Sequence, residues 1–99
     1  MEPLYQRALE DVIVVIDAVA IACGSTEGLE EARMLASLLL DKLRKGERVE
    51  RGAVVSALAK IRDALLEARD ELEEEGCLEA YRIDDAIARI DSVIGPPPA

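Results

Sequence analysis

The longest apolar stretch of the chain lies between Asp11 and Gly24, where eleven of twelve residues are apolar and the twelfth is Asp17. At helical spacing the larger side chains fall on one wide face, and Asp17 continues a narrow polar stripe with Gln6 and Glu10. We therefore predict a helix with one buried face and a surface-exposed Asp17, because an unpaired buried carboxylate is costly. The face predicted to be buried consists of Leu9, Val12, Ile13, Ile16, Val19 and Ala20.

The same stretch is too short for a transmembrane helix, which needs about 20 consecutive apolar residues. It does not resemble a secretory signal either, because residues 1–10 contain Glu2 and Glu10 and no basic segment precedes the apolar run. We therefore expect no membrane segment, no membrane partner and a cytoplasmic protein.

Three further segments show the same amphipathic spacing. The clearest begins at Ala53, where six apolar residues follow one another at intervals of four and three and form a heptad seam. Pro3 suits the first turn of a helix and Gly24 the position after its last residue. Ser25 or Thr26 then supplies an N-cap for the second helix. The predicted core positions are Leu29, Ala32, Ala36, Leu39, Leu40 and Leu43 in the second helix, Val54, Leu58, Ile61, Leu65, Ala68 and Leu72 in the third, and Ile83, Ile87, Ile90 and Ile94 in the fourth.

Four amphipathic segments joined by short turns predict an all-α protein, an antiparallel up-down four-helix bundle. The helices are predicted at approximately 3–22, 27–45, 50–75 and 79–94. No sequence boundary divides the chain, so we predict a single domain over residues 1–99 with a short Pro-rich tail at 95–99.

The composition argues against catalysis. The 99 residues include no histidine, so the commonest general base and metal ligand is missing. We therefore predict no enzyme activity, no catalytic residue, no cofactor and no metal site. Asparagine is absent as well, and Gln6 is the one glutamine, while a third of the residues are charged. Such a depletion of amides beside plentiful ion-pairing residues is found in heat-adapted proteins, and codon bias or design produces it too.

The two cysteines, Cys23 and Cys77, follow the first and third predicted helices, so both lie at the same end of an up-down bundle. These helices would be diagonal in a square arrangement, where the Cα separation of about 4.4–6.8 Å that a disulfide needs is difficult to reach. We therefore expect two free thiols, as in most intracellular proteins. The alternatives are a disulfide, known from heat-adapted organisms, and a zinc site shared by two chains.

Two pairs of acidic residues show a spacing with a possible chemical meaning. Glu47-x-x-Glu50 followed by Glu67-x-x-Asp70 resembles in outline the ExxE…ExxD magnesium motif of MazG-like nucleotide pyrophosphohydrolases, which are also all-helical. The resemblance implies magnesium bound through the phosphates of a nucleotide. In the predicted bundle Glu67 and Asp70 lie on the outer face of the third helix, opposite the heptad seam. Nucleotide hydrolysis is therefore our third hypothesis for the function.

Charge is unevenly distributed along a chain whose net charge is −9. Residues 42–62 hold seven basic and two acidic side chains, whereas residues 67–79 hold seven acidic and one basic side chain. An up-down bundle would place the basic and acidic turns at opposite ends and make the molecule electrically bipolar. The negative net charge and the lack of an aromatic residue near the basic turn argue against nucleic-acid binding. The predicted acidic docking end consists of Glu67, Asp70, Glu71, Glu73, Glu74, Glu75 and Glu79.

Some apolar residues fall outside the predicted core faces. This surplus predicts that the bundle buries further surface by associating with itself. These residues are Val14 and Ile21 in the first helix, Met34 and Leu38 in the second, and Val55 and Leu66 in the third.

The sequence thus predicts a non-enzymatic, small, acidic helical protein that acts through protein–protein contacts, as a self-associating assembly or structural subunit. The predicted interface is centred on Val14, Ile21, Met34 and Leu38. The alternative is an acidic inhibitor or adaptor, including a viral or phage nucleic-acid mimic, that docks on a basic partner through electrostatic steering.

Overall fold

The computed structural model describes residues 3–95, and these form four α-helices. The helices are α1 (Pro3–Cys23), α2 (Glu27–Arg44), α3 (Arg51–Glu74) and α4 (Arg82–Ile94), with a short 3₁₀ helix (Leu78–Tyr81) directly before α4. No strand occurs within residues 3–95. The predicted all-α fold is therefore confirmed, although the fourth segment starts with a 3₁₀ turn. Of the predicted tail, residues 96–99 lie outside the described range.

The helices end where the sequence supplies a cap or a glycine. Thr26 accepts a hydrogen bond from the backbone N–H of Leu29 at 3.1 Å, so the predicted N-cap of α2 is confirmed. After α3, Gly76 adopts a φ of +78°, which an L side chain rarely adopts. The chain then turns back, and the N–H of Cys77 donates to the carbonyl of Leu72 at 3.0 Å. This turn determines where Cys77 lies.

Each helix packs against two neighbours: α1 and α3 each contact both α2 and α4. Ion pairs show the relative direction of α3 and α4. Arg62 Nη1 lies 2.7 Å from Asp91 Oδ1, and Arg69 Nε lies 2.8 Å from Asp84 Oδ1. The two arginines are two helical turns apart on α3, and their partners are two turns apart in the reverse order on α4, so the helices are antiparallel.

The core is apolar throughout, because no polar or charged side chain is buried within the described part of the chain. Every predicted core residue of α2 and α3 is buried. In α1 the predicted face is partly wrong: Ile13 and Ala20 at its edge are only partly buried, whereas Tyr5 and Ala8 are buried although the pattern did not indicate them. In α4 the predicted face is partly wrong: Ala86 and Val93 are buried, while Ile87 and Ile94 are only partly buried. Both sets alternate by three and four residues, but the observed seam is rotated slightly about the helix axis, so that it takes positions 86 and 93 in place of 87 and 94.

Helices α2 and α3 approach each other closely at Gly28. A Cβ atom placed on Gly28 would lie 2.8 Å from the carbonyl oxygen of Ala64 and 3.0 Å from the Cβ of Ala68. The two backbones are therefore in direct contact. No salt bridge joins α2 to α3 within residues 3–95, whereas each of the other three pairs of neighbouring helices has at least one. Steric fit therefore sets the register of α2 on α3.

A disulfide joins Cys23 to Cys77, with a Cα–Cα distance of 5.8 Å, so the expectation of two free thiols is wrong. The expectation failed because Cys77 is not part of α3. It lies three residues beyond Glu74, in the turn that leads to the 3₁₀ helix, and this 3₁₀ helix packs against α1 as well as α3. The segment that follows α3 thus spans the diagonal between α1 and α3 and brings Cys77 close to Cys23. We call this end of the bundle the disulfide end. The opposite end, with residues 42–51, has five basic side chains and two acidic ones, and we call it the basic end.

Removal of the disulfide should lower the free energy of unfolding substantially. The linked cysteines are separated by 54 positions, for which loss of chain entropy in the unfolded state corresponds to about 4 kcal/mol. Urea unfolding of the oxidised protein, with and without dithiothreitol, measures this difference. A Cys23→Ser/Cys77→Ser variant is the control and should not respond to the reductant. Two reactive thiols per chain in the protein isolated without reductant would contradict the disulfide.

The substitution Gly28→Ala should destabilise the fold by roughly 1–3 kcal/mol, because overpacking at the α2–α3 contact outweighs the gain in helix propensity. The matched control is Gly52→Ala in the first turn of α3, where an added Cβ meets nothing within 4 Å. The control should leave stability unchanged or raise it. Equal effects of the two substitutions in urea unfolding would show that the α2–α3 contact has room for a methyl group.

Candidate protein interaction surface

The four residues of the predicted interface are all exposed. Ile21 is 87% exposed, Val14 66%, and Met34 and Leu38 are each 56% exposed. On α1, Val14 and Ile21 each lie one helical turn after an acidic residue that pairs with α2, namely Glu10 and Asp17. The exposure follows from the helix period, because the opposite faces of α1 and α2 form the core. We call these four residues the apolar face.

The polar stripe on α1 forms ion pairs with α2. The carboxylate of Asp17 accepts two hydrogen bonds from Arg33, at 2.7 Å from Nε and 3.3 Å from Nη2. Arg44 Nη2 donates to Glu10 Oε2 at 2.6 Å. The hydrogen bond and the charge of Asp17 raise the pKa of the Arg33 guanidinium above its ordinary value. Asp17 is therefore a half-exposed carboxylate in an ion pair between two helices, and it is not a buried carboxylate.

A shallow groove of about 480 Å³ runs between α1 and α2 beside the apolar face. Ile13, Val14 and Leu40 supply its apolar surface, and Ser37 and Arg33 are among its polar lining residues. Arg33 also donates to the hydroxyl of Ser37 at 3.1 Å, which fixes the guanidinium between the two helices. The surface thus combines a recess with the protruding side chains of Met34 and Leu38, which follow Arg33 and Ser37 in the sequence.

Two exposed apolar residues near the disulfide were missed by the sequence analysis. Leu78 is 87% exposed and Tyr81 is 63% exposed. Leu78 follows Cys77 directly, and Ile21 lies two positions before Cys23, so the disulfide keeps Leu78 and Ile21 within about 15 Å by chain geometry. The helical pattern, extended backwards from Ile83, would have placed Tyr81 off the core face and is the one signal that could have found it.

The seven residues of the predicted acidic docking end are only partly brought together. Glu73, Glu74 and Glu75 are exposed at the last turn of α3, beside the disulfide end. Two cations of the described chain pair with the set: Arg69 lies 3.4 Å from Glu73, and Arg82 lies 3.7 Å from Glu79.

The other members of this set also lie on α3. Glu71 is partly buried in the last turn, and Asp70 is exposed directly before it. Glu67 lies further back and lines a shallow groove between α2 and α3 together with Glu31 and Lys60. Of the seven residues, Glu67 therefore lies furthest from this end along α3.

The two halves of the magnesium motif lie far apart. Glu47 and Glu50 belong to the turn before α3, whereas α3 rises about 1.5 Å per residue and carries Glu67 roughly 25 Å further along its axis. Within residues 3–95 no three acidic or cysteine side chains are grouped so that they could hold a metal ion. The structure therefore does not assemble the site that the resemblance implied.

No family model, curated protein or solved structure matches the chain. Within the described residues, no helix has the length and apolar character needed to cross a membrane. The function must therefore be inferred from the surface of this molecule.

The Asp17→Ala substitution should change the free energy of unfolding by less than about 1 kcal/mol, because the side chains of Asp17 and Arg33 are both about half exposed to solvent. The comparison variant is Asp91→Ala, which removes the partner of Arg62, a side chain only 18% exposed. We expect the larger loss of stability there. A failure of Asp17→Ala to fold, measured by circular dichroism, would mean that the polar stripe carries a structural site.

Proposed function

We propose that the protein acts through protein–protein contacts, as a self-associating subunit of a homodimer or larger assembly. The observation that supports this best is the apolar face, because four large apolar side chains on two adjacent helices are each more than half exposed. Single exposed apolar residues are common on soluble proteins, but a cluster on adjacent elements is typical of an interaction surface.

The energetics favour a symmetric contact. Full burial of one such side chain contributes roughly 1.5–3 kcal/mol. Docking two molecules costs several kcal/mol in lost rigid-body freedom, so a single side chain cannot drive association. A twofold interface counts every residue of the face twice. In this arrangement Met34 and Leu38 of one protomer face the recess between α1 and α2 of its partner, where Val14 is exposed and Ile13 is partly buried.

A second candidate is the acidic inhibitor or adaptor. It is supported by the exposed carboxylates of Glu73, Glu74 and Glu75 at one end of the molecule, where Arg69 reaches only Glu73 among them. Such an end would attract a basic partner from a distance and orient it before contact. This inhibitor or adaptor candidate includes a nucleic-acid mimic, in which carboxylates take the place of phosphates.

The compartment remains a proposal as well. The expected cytoplasmic location agrees with the disulfide only in a cytosol where disulfides persist, as in hyperthermophiles. The scarcity of amide side chains and the large share of charged residues support the same direction. An oxidising compartment would equally preserve the bond between Cys23 and Cys77.

The Met34→Glu/Leu38→Glu variant should have a lower native mass than the wild type, because two charges would have to be buried in the interface. Light scattering after size-exclusion chromatography measures the mass, and circular dichroism checks that the helices remain. The matched control is Leu66→Glu, since Leu66 is an exposed leucine of α3 outside the apolar face. This control should keep the native mass of the wild type.

The possible outcomes separate the two candidates. An oligomer of unchanged mass in the double variant would place the contact elsewhere on the molecule. A wild-type monomer at high concentration would remove the assembly proposal and leave the adaptor as the better explanation. Partner binding by that monomer should then weaken steeply with salt, because it would depend on charge.

A further inference from the structure

A cavity of about 280 Å³ opens at the basic end, between the start of α1, the end of α2 and the turn that leads into α3. Its floor is apolar and consists of Tyr5, Leu43 and Val54, all of which are buried residues of the core cluster. Val49 of the turn is partly buried and lines the cavity as well. The volume is close to the lower limit of about 300 Å³ for small-molecule sites, so it suits a small ligand.

The remaining side chains of the lining are charged and mostly basic. Arg48 and Arg51 both line the cavity and are exposed to solvent, and Glu47 is the acidic residue of the lining. Lys45 lies in the same turn, but its charge is compensated by Asp41, whose Oδ2 lies 3.0 Å from its Nζ. The lining of the cavity therefore carries two positive charges against one negative charge.

We propose that this cavity binds a small amphipathic carboxylate, such as the anion of a medium-chain fatty acid. The hydrocarbon part covers Val49, which is partly buried, and the small exposed edges of Tyr5, Leu43 and Val54. Burial of apolar surface there supplies part of the affinity. The carboxylate lies at Arg48 and Arg51, because planar guanidinium groups match a carboxylate with two parallel hydrogen bonds. The positive mouth selects an anion over a cation or a neutral molecule of the same size.

This binding is separate from self-association. Tyr5 and Val14 are about 13 Å apart along α1, at 1.5 Å per residue. The cavity at the basic end and the apolar face share no residue. A ligand can therefore occupy the cavity in a monomer or in an assembly, and each proposal can fail without the other.

Tyrosine fluorescence gives a direct readout, since the chain has two tyrosines and no tryptophan. In a Tyr81→Phe background, which alters an exposed residue, Tyr5 becomes the reporter. Titration with decanoate below its micelle concentration should give a saturable change. Acetate, which has the charge without the chain, should give none. Decanol, which has the chain without the charge, should bind more weakly than decanoate by a factor of about ten or more.

Three variants test the assignment of the site. Arg48→Gln/Arg51→Gln should weaken decanoate binding about tenfold or more. The control Lys60→Gln makes a similar change of charge on α3, outside the lining of this cavity, and should leave binding unchanged. Val49→Trp should fill the cavity and abolish binding, with an unchanged helical circular dichroism spectrum because Val49 lies in the turn.

Backbone amide shifts in NMR spectra show where the ligand binds. Shifts concentrated around Tyr5, Gly46 and Arg48 would support the proposal. Shifts concentrated around Val14 and Met34 would overturn it, because decanoate would then be binding to the apolar face. Equal affinity for decanol and decanoate, an undiminished affinity in the double arginine variant, or no saturable binding would overturn it as well.

Discussion

The contact between α2 and α3 at Gly28 is the constraint on which the rest of the bundle depends. Because the backbone of α2 touches the carbonyl of Ala64, the register of these helices is decided by shape, without a salt bridge between them in the described chain. The turn at 45–50 connects two helices whose relative position is thus already determined. The cavity lined by Arg48 and Arg51 lies at this turn, at the far end of α2 from Gly28.

The sequence predicted the parts of the fold that depend on period alone. The heptad seam of α3 is long, and each of its positions is buried. In α4 the pattern was ambiguous, because apolar residues lie on both sides of the seam. Size favoured Ile87 and Ile94 there, whereas the packed structure uses the smaller Ala86 and Val93. The distance between two helices decides this choice, and a single sequence carries no direct measure of that distance.

The surface also divides into features that follow from helix period and features that depend on tertiary packing. The exposure of Val14 and Met34 could be predicted, because it follows from their position on a regular helix. Leu78 could not, since it belongs to a 3₁₀ turn whose rotation differs from that of α4. The cavity at the basic end could not be predicted either. It forms where an irregular turn passes over Tyr5, and the path of such a turn depends on tertiary packing.

The link between Cys23 and Cys77 also changes the covalent topology of the molecule. It closes the chain into a ring that contains α2, the exposed turn at the basic end and α3, and it leaves α1 and α4 as two branches from one point. A protease that cuts the exposed turn at Arg48 would therefore open the ring without separating the fragments. Every helix would stay attached to the others through a covalent path. The turn opposite the disulfide is thus a place where the chain can be cut and remain one molecule.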